Sequence, residues 1–263
     1  MTRSIFLAIV ILGVFTGPAS FGFCEKINSV APSVLPGTGR DMKSPGFWVS
    51  RHPSPDALIL GAEEVKVFNQ KLIKDGLTKD LFNIDAFDLN ISRTQIQNEI
   101  KKFERGDYFD REGKLVSRDL FKRVKENLSI DDVKDIVPRY ALVVRQSDQR
   151  LLPTDAILTA EPFDLVFDEV QNSSLDAGNP VVVFYETLDE KWAYTQTPAS
   201  AGWVKKENLA FVSSDEFKNL LSSEKFVVVT AAKADLYLDA ERTKYYDYVR
   251  MGTRLALLGG SGD

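Results

Sequence analysis

Near Arg139 the spacing of apolar residues changes from helical to strand-like, and that change divides the chain into two kinds of structure. Upstream, Val65, Phe68, Leu72 and Ile73 recur at helical spacing from Glu63 until Gly76 ends the run. Ser92 with Gln95 three residues later fits a capping box, and Ile96, Ile100 and Phe103 then share one face up to Gly106. A third stripe starts near Ser117 with Leu120, Val124 and Leu128, and residues 131–136 suggest a further turn before Pro138. These stripes are expected to form the core of a small helical module over residues 47–137.

Downstream of Arg139, residues 140–145, 163–167, 181–187, 192–197 and 209–212 are strand candidates, with turns predicted at 188–191 and 198–201. Several short strands separated by turn signals suggest a small barrel over residues 138–212. Ser213 and Glu216 form another capping-box pattern ahead of Phe217, Leu220 and Leu221. Strand-like stretches resume at 226–230, 236–238 and 255–258, a length marginal for an independent core.

The N-terminus differs in kind from both parts. Arg3 precedes a short apolar run over residues 5–15, and small residues follow, with Ser20 and Gly22 placed for cleavage ahead of Phe23. That pattern predicts a signal peptide over residues 1–22 and a chain exported to the periplasm or cell envelope. Residues 23–46, rich in Pro, Gly and Ser, form the expected linker. No later stretch is long and apolar enough to span a membrane in the mature chain. A net charge of −5 and a pI near 5.2 give no support to a nucleic-acid partner.

Catalytic chemistry has little to draw on. Cys24 is the only cysteine and His52 the only histidine, so cysteine–histidine catalysis would require a pair set in unrelated segments. The same scarcity leaves too few nitrogen and sulfur ligands for a zinc site. Asp107, Asp110 and Glu112 before Gly113 suggest a calcium loop, but Phe109, Arg111 and Arg118 would fall where oxygen ligands belong. No cofactor and no metal are expected. The richest candidate surface is aromatic, with Tyr185, Trp192, Tyr194 and Trp203 in or beside the barrel, and strand alternation puts Trp192 and Tyr194 on one face. Part of this set is expected in the core and part along a groove that binds a ligand or packs against another domain.

The segment Pro45-Gly46-Phe47-Trp48-Val49-Ser50-Arg51-His52-Pro53, followed by the helix with Phe68 and Asn69, resembles the N-terminal stabilising domain of NlpC-type cell-wall peptidases. Arg145, Leu152-Pro153-Thr154, Phe163-Asp164, Phe167-Asp168, Gln171, Gly178 and Pro180 resemble their first bacterial SH3-like domain. Asp189, Trp192, Tyr194 and Gly202-Trp203-Val204 continue that match, and Met251-Gly252-Thr253 with Leu255 looks like the opening of a second SH3-like domain.

The resemblance implies an α+β multidomain chain. It consists of a small helical N-terminal module, an SH3-like β-barrel, and a linker helix with an incomplete second SH3-like domain over residues 213–263. It also implies that the papain-like catalytic domain is absent, so that the chain is not itself an enzyme and Cys24 has no nucleophile role. The expected function is a non-catalytic module that binds peptidoglycan stem peptides through Tyr185, Trp192, Tyr194 and Trp203, or that stabilises a catalytic peptidase domain. Arg51 and His52 are the expected inter-domain residues. Two alternatives stand beside this reading. The chain is a fragment of a gamma-D-glutamyl-diamino acid endopeptidase, or it is a protein-binding scaffold of the envelope.

Overall fold

The computed structural model describes residues 36–82, 89–128 and 137–257. The expected signal peptide, Cys24 and the turn at 131–136 lie outside the described residues. The chain divides into two compact units, residues 12–74 and a larger one that contains 75–263.

The smaller unit carries a short helix α1 (Pro45–Val49) and a longer helix α2 (Ala62–Lys74). Glu63 and Glu64 in the first turn and Lys71 and Lys74 in the last complement the helix dipole of α2. The apolar stripe Val65, Phe68 and Ile73 is not a core as expected, because no residue of α2 is buried.

The larger unit begins with helix α3 (Leu89–Arg105) and helix α4 (Arg118–Leu128). Helix α3 starts three residues before Ser92, so Ser92 lies inside the helix and is not its cap. Ser117 does cap α4, its hydroxyl accepting from the Asp119 N–H at 3.2 Å. Between the helices Asp110 accepts from Glu112 N–H and Lys114 N–H, and Asp107 pairs with Arg118 at 2.8 Å. The acidic residues expected not to hold calcium thus shape a turn, with Gly113 at φ +73°.

The strands follow as β1 (Arg139–Val143), β2 (Ser147–Arg150), β3 (Gln171–Leu175), β4 (Pro180–Glu186), β5 (Trp192–Gln196), β6 (Ala201–Lys205) and β7 (Leu209–Val212). Among the described residues they form one antiparallel sheet in the order β3-β2-β6-β5-β4-β1-β7. Strands β3 and β7 end this order, and no pairing joins them among the described residues. The stretch 163–167, expected as a strand, is a loop in which Phe163 adopts φ +65°. Strands β2 and β3 lie where no strand was expected.

Both faces of the sheet are apolar. One carries Ala141, Val143, Leu175, Val181, Val183, Ala193, Val204 and Leu209. The other packs with Ile96, Ile100 and Phe103 of α3 and with Phe121, Val124 and Leu128 of α4. The C-terminus of α4 is tied to the β4–β5 turn, where Leu188 N–H and Asp189 N–H donate to the Asn127 carbonyl and side chain.

Helix α5 (Ser214–Ser222) has the expected capping box, with Ser213 and Glu216 satisfying each other's backbone N–H groups. Its Phe217 is fully buried and stacks on Tyr140 of β1 at 4.3 Å between ring centroids. Strands β8 (Phe226–Val228), β9 (Lys233–Tyr237), β10 (Tyr245–Arg250) and β11 (Arg254–Ala256) follow. They pair as two two-stranded sheets, β9 with β10 and β8 with β11. This segment is fastened to the large sheet by Arg250, whose Nε lies 2.9 and 3.0 Å from the Asp176 carboxylate oxygens. Tyr246 adds a hydrogen bond from its hydroxyl to the Val144 carbonyl at 2.6 Å.

Candidate functional site

Cross-strand register sets the aromatic residues in a row. Tyr185 of β4 faces Tyr194 of β5, Tyr194 faces Trp203 of β6, and Trp203 faces Arg150 of β2. Directly opposed residues share a face, so the four side chains line up across four neighbouring strands. The ring centroids stand 6.4 Å apart for Tyr185 and Tyr194 and 5.3 Å apart for Tyr194 and Trp203, both edge-on. Trp192 pairs with Lys205 on the adjoining rung, and the lysine ammonium stands 5.8 Å from the Trp192 ring.

All four aromatic residues belong to the core shared with α3 and α4. Tyr185, Tyr194 and Trp203 are 4, 6 and 1% exposed, and so offer a ligand little surface. The indole N–H of Trp203 is buried with no acceptor among the described residues, a polar atom whose desolvation the surrounding packing must offset. Trp192, though mostly buried, lines an open cleft. Of the expected groove, that cleft is the part within reach of solvent.

The cleft holds roughly 460 Å³ and is walled by Arg111, Asp148, Arg150, Asp155, Asp168, Gln171, Trp192 and Lys205, among others. Its floor is rigid for a specific reason. Arg150, nearly buried, forms an ion pair with the Asp168 carboxylate at 2.9 Å and donates to the Ala156 carbonyl at 2.6 Å. The other Asp168 oxygen accepts from Leu158 N–H at 3.2 Å and Val170 N–H at 3.0 Å. Arg150 therefore ties both ends of the 156–170 loop to β2, one through the Ala156 carbonyl and the other through its ion pair with the half-buried Asp168. Gly202 lets β6 approach β2 here, since a Cβ at that position would sit 2.7 Å from the Arg150 carbonyl oxygen.

The rim carries more exposed charge. Lys205 pairs with Asp155 at 2.9 Å, and Gln171 donates to Asp148 at 3.0 Å. Three cationic and three carboxylate side chains line the cleft, so its chemistry is that of a dipolar site and not of a purely anion- or cation-binding one. Among the described residues, no group of three His, Cys, Asp or Glu side chains is arranged to hold a metal ion.

Arg51 and His52 lie in the smaller unit and engage their own segment. The Arg51 guanidinium sits over the Phe47 ring at 3.3 Å from its centroid and donates to the Phe47 carbonyl, while His52 Nδ1 accepts from Ser54 N–H at 3.1 Å.

Burial, with smaller contributions from Glu99 and Tyr185, pushes the Tyr194 hydroxyl up to about 12 from 10.0. The unfolded tyrosine loses its proton first as pH rises, so the folded chain binds the extra proton between these values. The stabilisation is complete below pH 10 and is lost as pH climbs through about 12, a loss of roughly 2–3 kcal/mol. Urea unfolding of the wild type and Tyr194→Phe at about pH 9 and about pH 11.5 isolates this contribution, and the wild type should lose more stability than the variant. Equal losses would mean that Tyr194 ionises freely in the folded state.

Residues 160–205 match the model for the SH3 domain (SH3b1 type). No curated protein matches the sequence. Among solved structures, the chain is similar to one described as a novel NlpC/P60 endopeptidase from Photobacterium damselae subsp. piscicida, at 18% identity and a TM-score of 0.67. The superposition covers 82% of this chain and 50% of that one, so the chain spans about half the length of the solved structure it resembles. The likeness is one of fold. The architecture is α+β, with a helical N-terminal region and sheets that include an SH3-type domain. Among the described residues, no helix is long and apolar enough to cross a membrane.

The sequence missed the cleft but not its aromatic wall. Trp192 stood out as an aromatic residue in a predicted strand, whereas Arg111, Asp148, Asp155 and Lys205 come from four separate segments and carry no common spacing.

Proposed function

We propose that this chain is an exported, non-catalytic module of a cell-wall peptidase system, and that it binds peptidoglycan stem peptides at the SH3-type domain. The observation that carries this reading is the dipolar cleft beside Trp192, built on the sheet that contains the SH3b1-type match. Stem peptides are short, carry carboxylates and amines, and lack large apolar side chains. A cleft with paired Lys205–Asp155 and Asp148–Gln171 at its rim, and one aromatic wall, suits such a ligand better than an apolar one. The fold shared with the NlpC/P60 endopeptidase supplies the setting. The finer features of the proposal are an SH3-like β-barrel, a partial second SH3-like domain and placement in the periplasm or envelope.

Titration of the chain with defined stem peptides tests the reading by heteronuclear NMR. Shifts of the Trp192 indole and of Lys205 and Asp148 amides, with no peptide cleaved, are expected at millimolar peptide or below. Cleavage would replace the module with an enzyme. A spectrum unchanged at several millimolar would leave domain stabilisation as the better account.

A further inference from the structure

One wall of the cleft is formed where the β1–β2 turn enters β2, with Gln146 and Ser147 ahead of Asp148. The large sheet holds part of this turn. Val144 N–H donates to the Asn208 carbonyl at 2.9 Å, the Gln146 side chain to Ser174 Oγ at 2.7 Å, and the Asn208 side chain to Ser147 Oγ at 2.8 Å. Strand β10 of the C-terminal segment takes other groups of the same turn. The Tyr246 hydroxyl donates to the Val144 carbonyl at 2.6 Å, and the Arg145 guanidinium stands 5.2 Å from the Tyr246 ring centroid. Asp247 Oδ2 accepts from the Gln146 N–H at 2.5 Å.

Adjacent residues of a regular strand point to opposite faces, so Tyr246 and Asp247 would not both reach this turn from an unbroken ladder. The register of β10 on β9 shifts between Tyr245 and Asp247, and a bulge of this kind re-aims side chains. The rest of β10 is seated separately, by Val249 packed with Ala177 and by the Arg250–Asp176 ion pair. Asp247 is 8% exposed, and among the described residues no lysine or arginine pairs with it. A buried carboxylate without a cation is costly unless N–H donors offset it. Here the donors are the backbone N–H groups of Gln146 and Tyr248, and the shorter of the two bonds holds the cleft wall.

We infer that Tyr246 and Asp247 are positioning residues for the cleft. From the C-terminal segment they fix the β1–β2 turn, and with it the start of the strand that carries Asp148 and Arg150. The inference rests on the cleft being the peptide site. A wall held in place lowers the ordering cost of binding, so loosening the turn weakens the peptide without removing any group that touches it.

The probe is the stem tripeptide L-alanyl-γ-D-glutamyl-diaminopimelate, titrated by heteronuclear NMR into the full chain and its variants well below their melting temperatures. Asp247→Ala should weaken binding roughly tenfold, and Asp247→Asn, which keeps an oxygen for the Gln146 N–H, should recover most of it. Tyr246→Phe, which loses one hydroxyl and no packing, should weaken binding about threefold and carries the same test if Asp247→Ala does not fold. In the peptide-free Asp247→Ala chain the Gln146 amide proton should move upfield and exchange faster. The inference is overturned if either folded variant binds as tightly as the wild type, even with a lowered melting temperature, since the two residues would then only fasten the segment. A Gln146 amide unmoved by Asp247→Ala overturns it as well. A wild type that ignores the tripeptide at several millimolar removes the cleft reading and this inference together, whereas wild-type binding with unaffected variants removes this inference alone.

Discussion

Arg150→Met is expected to lower the unfolding free energy by about 3–5 kcal/mol, a large part of the total for a domain of this size. The arginine is nearly buried, and its loss strands the Asp168 carboxylate at a position only 16% exposed. It also removes the hydrogen bond to the Ala156 carbonyl and frees the 156–170 loop from β2. The double variant Arg150→Met/Asp168→Leu should recover much of that loss, because deleting both charges removes the uncompensated one. Urea unfolding followed by tryptophan fluorescence distinguishes the cases. A single-variant loss under about 1 kcal/mol would place the pair with ordinary surface ion pairs. Stem-peptide binding should weaken in Arg150→Met as well, since the cleft floor is the same loop.

Phe217→Ala is expected to cost about 3–5 kcal/mol, the range for removing a fully buried aromatic ring. Phe217 has no exposed surface, stacks on Tyr140 and meets Phe82 edge-on at 6.3 Å. The same urea titration reports it. The informative feature is whether the large sheet and the C-terminal strands lose stability together, because Phe217 lies on α5 between them in sequence while its ring packs on β1. A loss confined to residues beyond 213, measured by amide exchange, would show α5 to be an appendage of the C-terminal segment.

Much of this organisation is legible in the sequence where side-chain alternation and burial coincide. Strands β4, β5 and β6 carry Val, Phe, Tyr and Trp, because both faces of the sheet are covered, and turn residues separate them. The capping box at Ser213 declares α5. Strands β2, Ser-Asp-Gln-Arg, and β3, Gln-Asn-Ser-Ser-Leu, were illegible, because their pairing is held by polar side chains that also serve turns. Gln149, fully buried, donates to Thr195 on β5, a contact no local pattern announces. The opposite error occurs at 163–167, where an apolar run that resembles a strand is a loop. Asp164 and Asp168 there hydrogen-bond backbone N–H groups two residues on, and Asx-type turns of this kind compete with strand pairing. The helical start at Leu89 overrides the Ser92 capping signal. The row Tyr185–Tyr194–Trp203 was visible as composition, but its burial depends on α3, whose contribution follows only from tertiary packing.

Strand β1 has a consequence for the order of folding. Its two sheet neighbours, β4 and β7, both come later in the chain, and its residues pair with partners near 181 and near 211. A chain emerging from the N-terminal end therefore holds β1 with both hydrogen-bonding edges open until some forty further residues have appeared, and with one edge open until some seventy have. Closure over such separations carries a loop-entropy cost before any contact compensates, so collapse of this sheet should be a late and comparatively slow event. Until then the chain stays extended and vulnerable at that strand, which makes the time spent unfolded, as well as the final stability, a determinant of how much native protein accumulates.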